Sequence, residues 1–129
     1  MSDSPDPKAL IVRYFETVWN ARQITRIDHF VAQTYIGHEP HAPATQGPAG
    51  MRQVAETCWN NFPDATFTIL AALADGDLVA LHLHLQATYR PNGNPISITG
   101  MILYRIVESQ IVESWSHMDE RGLVQQLSD

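Results

Sequence analysis

An aspartate and a histidine stand close together near the end of the chain, in the segment Trp115-Ser116-His117-Met118-Asp119. A carboxyl group such as that of Asp119 can remove a proton from carbon and return it to oxygen when a dry pocket draws its pKa toward working pH. His117, which shares a strand face with Trp115, could hydrogen-bond a substrate carbonyl or tune that carboxyl. Asp119 and His117 are therefore the candidate catalytic residues for acid/base chemistry.

Each of these two residues also has a plain structural interpretation. Asp119 comes directly before the short helical pattern of residues 120–127, where an aspartate commonly caps the helix. His117 could be a half-buried histidine that hydrogen-bonds the backbone, since histidines often lie partly buried. The residues leave both alternatives open, and one aspartate could serve both roles.

Other histidines offer weaker candidates. His38 and His41 flank a proline-rich loop that could form the rim of a pocket. His82 and His84 share one strand face and, with His117, could make three zinc ligands. The sequence does not fix a ligand geometry, however, and a polar outer face explains the His82/His84 pair equally well. We predict no metal and no cofactor.

Large aromatic residues recur along the chain and could line a site for a flat, ring-shaped ligand. Such residues are more often ordinary core, because burial of an aromatic side chain contributes strongly to folding. Cys58 lies on the apolar stripe of a helix without a neighbouring base, so it is expected in the core and not as a nucleophile. The aromatic candidates are Tyr14, Trp19, Trp59 and Trp115.

Length and charge limit the classes of partner. A chain of 129 residues with 44% hydrophobic and 17% charged residues predicts a single globular domain over residues 1–129. The net charge is −6 and no stretch clusters Lys or Arg, so neither nucleic acid nor a membrane is expected as a partner. The polar, acidic start lacks the pattern of a secretory signal, and Cys58 is the only cysteine; we therefore predict a cytoplasmic protein.

The periodicity of apolar residues changes halfway along the chain. Helical spacing predicts helices over residues 7–20 and 51–62, with a short helical piece around Ile27 and Val31 and a loop over 36–50. Alternating residues then predict strands from about 67 to 118, before a short helix at the end. Helices followed by strands favour an α+β fold with an antiparallel sheet, and a cavity for a small apolar ligand between the two layers is plausible.

Ordered along the chain, several segments resemble those of the SnoaL-like polyketide cyclases. The resemblance covers nearly the whole chain, and although each segment is weak alone, the ordered set is fairly specific. The segments are Tyr14-Phe15-Glu16 with Trp19-Asn20, Tyr35-Ile36-Gly37-His38-Glu39-Pro40, Asn61-Phe62-Pro63-Asp64, Ala74-Asp75-Gly76-Asp77, Tyr104-Arg105-Ile106, Ile111-Val112-Glu113-Ser114-Trp115, and Trp115 to Asp119 followed by Gly122-Leu123-Val124-Gln125-Gln126-Leu127.

This resemblance implies a fold like that of nuclear transport factor two and ketosteroid isomerase. In that fold a cone-shaped, curled antiparallel sheet carries the N-terminal helices on its concave face. The best-known family members close a polyketide ring by intramolecular aldol condensation, with an aspartate as acid/base group and without a metal. Asp119 matches that aspartate, and the residues expected to contact an apolar substrate are Tyr14, Trp19, His38, Trp59, Arg105 and Trp115.

Two positions depart from the family pattern. Arg105 stands near a position where known cyclases carry a histidine, and Ala87-Thr88-Tyr89 replaces a common Gly-Thr-His. The alternatives to a cyclase or related isomerase are a protein that binds a small molecule without turnover and a domain that serves assembly. Relatives commonly pair through an exposed sheet face, which predicts a homodimer or tetramer through residues such as Leu70, Met101 and Leu103.

Overall fold

A computed structural model describes residues 6–128, which form four α-helices and one six-stranded, curled sheet. Residues 1–5, on which the expectation of no secretory signal partly rests, lie outside this range. The helices are α1 (Pro7–Tyr14), α2 (Ile27–Phe30), α3 (Gly47–Asn61) and α4 (Glu120–Leu127), and the strands are β1 (Val31–His38), β2 (Thr45–Gln46), β3 (Thr66–Asp75), β4 (Leu78–Thr88), β5 (Pro95–Val107) and β6 (Gln110–Met118).

The first helical segment begins and ends where the sequence predicts. The Asp6 carboxylate accepts a hydrogen bond from the Lys8 amide at 3.0 Å, and Pro7 occupies the first turn, where a missing amide proton costs little. After Tyr14 the chain continues as a π-helical segment, Phe15–Asn20. The buried face runs through both parts and comprises Leu10, Ile11, Tyr14, Phe15, Val18 and Trp19.

The predicted α+β fold is confirmed, with one refinement of the sheet. The strand order is β2-β1-β6-β5-β4-β3, and the hairpins from β3 to β6 are antiparallel, as expected. The β1–β6 pair is parallel, so the sheet is mixed. No short hairpin joins these two strands; they are separated by α3 and four other strands, so no tight turn sets their relative direction.

The segment from 31 to 50 contains more regular structure than the sequence predicts. Val31 starts a strand instead of ending a helix, and the predicted loop over 36–50 shrinks to residues 39–44. β1 depends on pairing with β6, a distant partner that local propensity cannot reveal. Gly47 adopts a φ of +64°, which suits glycine, and Pro48 is tolerated in the first turn of α3.

Helices and sheet meet in one apolar layer. Along β4, Val79, Leu81 and Leu83 are buried, whereas the intervening His82 and His84 are partly exposed on the other face. The buried β4 residues join a core cluster with α1, the π-helical segment and α3. The helices therefore cover the inner face of the sheet, and the outer face carries the histidines. Within residues 6–128, no helix is long and apolar enough to span a membrane.

Removing a buried leucine from this layer tests its contribution to stability. Leu81 is fully buried in the centre of the sheet, whereas Leu73 on the neighbouring strand is 73% exposed. We expect Leu81→Ala to lower the free energy of unfolding by about 2–5 kcal/mol, because it removes buried methyl groups and leaves a cavity. Leu73→Ala should change it by less than about 0.5 kcal/mol. Urea unfolding of both variants gives the comparison, and equal losses would contradict this description of the core.

Candidate functional site

A cavity of about 310 Å³ lies between the helices and the inner face of the sheet. Its volume falls at the lower end of the range for small-molecule pockets, and most of its lining is apolar. Phe15 and Trp19 contribute from the π-helical segment, Met51 from α3, and Leu83 and Ile102 from the sheet. The elements that form the hydrophobic core thus also form the walls of the cavity.

Two buried tyrosines provide polar atoms in the depth of the cavity. Tyr14 comes from the end of α1 and Tyr104 from β5, and each is no more than 4% exposed. Burial raises the pKa of both phenols well above its ordinary value; a hydrogen bond with Trp19 partly opposes this effect at Tyr14. Both hydroxyl groups therefore stay protonated at neutral pH and can donate a hydrogen bond to a ligand oxygen.

A third tyrosine joins β1 to β6 at the cavity wall. The hydroxyl groups of Tyr35 and Ser114 lie 2.7 Å apart in a buried hydrogen bond. Gly37 permits this arrangement, since a Cβ atom at that position would collide with the Tyr35 hydroxyl. Burial raises the pKa of Tyr35, the bond to Ser114 lowers it, and the negative charge of Glu39 raises it.

The charged groups of the lining stand at its solvent-exposed end. Glu39 follows β1 and Glu120 begins α4; both line the cavity and both are exposed. Cys58 lines the wall from α3, and burial raises the pKa of its thiol, which agrees with the expectation that it is not an activated nucleophile. The cavity therefore combines hydroxyl donors in its depth with carboxylates at its mouth.

Asp119 occupies the helix-cap position that the sequence offered as one alternative. Its carboxylate accepts a hydrogen bond from the Gly122 amide at 2.9 Å, its side chain is exposed, and it is not part of the cavity lining. His117 is also exposed and absent from the lining. The reason is strand alternation: Ser114, Ser116 and Met118 line the cavity, so the residues between them point to the outer face.

The structure divides the six predicted substrate contacts into two groups. Tyr14, Trp19 and His38 line the cavity, whereas Trp59, Arg105 and Trp115 do not. The imidazole of His38 is engaged elsewhere: it stacks on Trp115, with ring centroids 5.7 Å apart, and its Nε2 lies 2.8 Å from a Glu113 carboxylate oxygen.

The remaining two residues have structural contacts of their own. Arg105 donates a hydrogen bond to Asp77 at 3.0 Å, beside the β3–β4 turn. Trp59 packs edge-on against Trp19, with ring centroids 5.9 Å apart, and so supports a wall residue from behind. The indole nitrogen of Trp59 is buried without a hydrogen-bond partner among residues 6–128.

Several lining residues were missed by sequence reasoning. Glu39 is the neighbour of the predicted His38, and Glu120 is the neighbour of the predicted Asp119. Ser114 and Ser116 could have been found by applying strand alternation to both faces of β6, because only the face with Trp115 and His117 was considered. Within residues 6–128, no three His, Cys, Asp or Glu side chains come close enough together to hold a metal ion.

Comparison with known proteins identifies what the chain resembles. The family model described as SnoaL-like polyketide cyclase matches residues 9–127. A search of curated proteins finds no match. A protein from Acidithiobacillus ferrooxidans, provisionally named a polyketide cyclase, is 28% identical, with a TM-score of 0.86 and coverage of 98% of this chain and 97% of that chain.

A second similarity is to IdmH. Its loop truncation variant is 26% identical, with a TM-score of 0.84 and coverage of 95% of this chain and 100% of that chain. Wild-type IdmH from Streptomyces antibioticus, also provisionally named a polyketide cyclase, is 24% identical, with a TM-score of 0.84 and coverage of 95% and 99%. At this identity the last comparison supports the fold alone.

The Tyr35–Ser114 bond can be measured with a double-mutant cycle. Each of Tyr35→Phe and Ser114→Ala leaves one hydroxyl buried without its partner, so the two losses should not add. We expect a coupling energy of about 0.5–1.5 kcal/mol in the free energy of unfolding. The control pair is Tyr35→Phe with Ser97→Ala, because Ser97 is bonded to His84 instead. Additive losses for Tyr35 and Ser114 would contradict the bond.

Proposed function

Because the chain belongs to the SnoaL-like polyketide cyclase family, we propose that it carries out cofactor-free acid/base chemistry at carbon on an apolar, carbonyl-containing small molecule. The reaction is an intramolecular aldol ring closure or a related isomerisation. The observation that supports this most directly is the pairing of an apolar cavity with buried tyrosine hydroxyls that remain protonated. Such a cavity binds a ring system and leaves its polar groups for the ligand's oxygen atoms.

In this proposal the buried hydroxyls stabilise the negative charge that develops on oxygen. Removal of a proton from the carbon beside a carbonyl moves the electron pair toward the carbonyl oxygen and gives an enolate. Tyr104 and Tyr14 can donate hydrogen bonds to that oxygen inside a mostly apolar cavity. Burial, with smaller contributions from Tyr14 and Tyr35, raises the pKa of the Tyr104 hydroxyl, so it keeps its proton and can donate a hydrogen bond to a ligand oxygen. The enolate carbon then attacks the second carbonyl, whose oxygen receives the proton.

The base in this scheme lies at the start of α4. The sequence prediction assigns the role to Asp119, but the geometry favours Glu120, because Glu120 lines the cavity and Asp119 does not. The Asp119 carboxylate accepts the Gly122 amide and so holds the first turn of α4 in place. We therefore propose Glu120 as the catalytic carboxylate and Asp119 as a positioning residue.

A second function, binding without turnover, is supported by a specific observation. Among the described residues, the deep part of the cavity has hydroxyl donors but no free carboxylate or imidazole, because Glu39 and Glu120 are exposed and the His38 imidazole is engaged with Trp115 and Glu113. A protein that only stored or carried an apolar molecule would need no more than this. Turnover assays of matched variants distinguish the two functions.

The deciding experiment compares Glu120→Gln with Asp119→Asn on a panel of aromatic polyketide acids and esters. We expect Glu120→Gln to lower turnover by about 10²- to 10⁴-fold, the usual contribution of general acid/base catalysis. Asp119→Asn should retain most activity, because an asparagine side chain can still accept the Gly122 amide. Glu56→Gln, an exposed change on α3, is the matched control.

The reverse result would assign the base to Asp119. Tight binding of a panel member that is never turned over would favour the binding protein.

The cap itself predicts an effect on stability that is independent of activity. Asp119→Ala removes the acceptor for the Gly122 amide and should lower the free energy of unfolding by about 1 kcal/mol, whereas Asp119→Asn should cost much less. Thermal unfolding of both variants measures the difference. Equal stability of the two variants would mean that the cap contributes nothing.

We also propose that the protein pairs through the outer face of the sheet. Leu70 and Met101 on this face are 51% and 53% exposed, and apolar surface of this kind favours a partner over water. Met101→Glu should therefore shift a homodimer or tetramer toward the monomer in light scattering. Val124→Glu, on the 62% exposed Val124 of α4, should not. A wild-type protein that scatters as a 14.5 kDa monomer at micromolar concentration would contradict pairing.

A further inference from the structure

We propose that the cavity selects its ligand by charge: Glu39 and Glu120 make it accept apolar molecules with a neutral or cationic outer end and reject carboxylates. The inference rests on the proposed function only in taking the cavity as the ligand site. It assigns a specificity role to two residues at the mouth, and it narrows the substrate class from acids and esters to esters, ketones and amines.

Carboxylates outnumber basic groups in the lining: among the described residues its one basic side chain is that of His38, whose Nε2 lies 2.8 Å from a Glu113 carboxylate oxygen. The two carboxylates of the lining are those of Glu39 and Glu120, and no Lys or Arg belongs to it among the described residues. Both carboxylates are exposed, whereas the tyrosines of the lining are buried. A ligand held by its oxygen in the depth must therefore place its opposite end near two negative charges.

The charge of Glu39 acts beyond the mouth. Tyr35 is buried, yet the negative charge of Glu39 contributes to the raised pKa of its phenol. An anion in the cavity would experience the same repulsion, because the low-dielectric walls weaken screening by water. A cation would gain from the same field.

The arginines around the cavity are engaged elsewhere. Arg22 lies over the Trp59 ring, 5.6 Å from its centroid, and donates a hydrogen bond to the Ala65 carbonyl. Its positive charge lowers the pKa of the Cys58 thiol, although burial raises that pKa by more. Arg52 pairs with Asp28 on the protein surface.

The first turn of α4 contributes no cationic side chain to the lining. Arg121 is exposed and does not belong to the lining. The Gly122 amide in the first turn of this helix already donates to the chain's own Asp119 carboxylate. A ligand carboxylate at the mouth would lie near the carboxylates of Glu39 and Glu120.

The test measures binding alone, with three ligands that share one ring system and differ in charge. All three carry an acetyl group whose oxygen can enter the depth, and they differ at the opposite end: methyl 6-acetyl-2-naphthoate is neutral, 6-acetyl-2-naphthoic acid is an anion at pH 7, and 2-acetyl-6-(aminomethyl)naphthalene is a cation. Isothermal titration calorimetry should find that the ester and the amine bind at least about tenfold more tightly than the acid. This ratio follows if each of the two carboxylates weakens binding of the acid by about three- to tenfold. The ratio should shrink at high salt, because both carboxylates are exposed.

Matched variants assign the effect to the two residues. Glu39→Gln and Glu120→Gln should each strengthen binding of the acid by about three- to tenfold and leave the ester nearly unchanged. Glu56→Gln removes the same charge from an exposed position on α3 outside the lining and should alter neither.

Three results would overturn the inference, and they are distinguishable. Equal binding of acid and ester by the wild-type protein contradicts charge selection while leaving the proposed function intact. An unchanged acid-to-ester ratio in both variants contradicts the role of Glu39 and Glu120. Failure of all three ligands to bind a folded protein contradicts both the inference and the proposed function. Weaker binding of the acid to Arg22→Gln than to the wild type would show that the cavity recruits an anion through Arg22, which also contradicts the inference.

Discussion

The parallel pairing of β1 with β6 is the contact on which the site depends. It brings together Tyr35 and Ser114, which are 79 positions apart in sequence, and it joins the strand that follows the first helices to the last strand of the sheet. β1 leads directly to Glu39 and β6 leads directly to α4 and Glu120. Both carboxylates of the mouth are thus placed by the same pair of strands.

Strand alternation on β6 places different kinds of side chain on the two faces of the sheet. The inner face presents Ser114 and Ser116 to the cavity, and the outer face carries Trp115 and His117. Trp115 stacks on His38, its register partner across the β1–β6 pair. The aromatic and histidine residues that look most like chemistry in the sequence therefore stabilise the strand pair, while the ligand meets hydroxyls from the less conspicuous positions.

The sequence predicts local elements better than long-range pairing. Asp6 and Pro7 define the start of α1, and Phe62-Pro63 ends α3, because these effects act within one turn. The resemblance supplied the fold. The sequence did not predict a strand over residues 31–38, because this strand is stabilised by pairing with β6, which lies far along the chain. The sequence also left open whether Asp119 faces the cavity or caps α4. A shift of one position at the end of a strand moves a side chain to the other face, and the sequence does not fix where β6 ends.

The central claim is that a ligand's oxygen lies in the depth of the cavity against the tyrosine hydroxyls. A crystal structure of the protein with bound methyl 2-naphthoate tests it most directly. The account predicts the ester's carbonyl oxygen within about 2.5–3.0 Å of the Tyr104 or Tyr14 hydroxyl oxygen, with the ring system along the apolar walls below Glu39 and Glu120. A ligand bound on the outer face beside His117, or one whose carbonyl points out toward solvent, would contradict it.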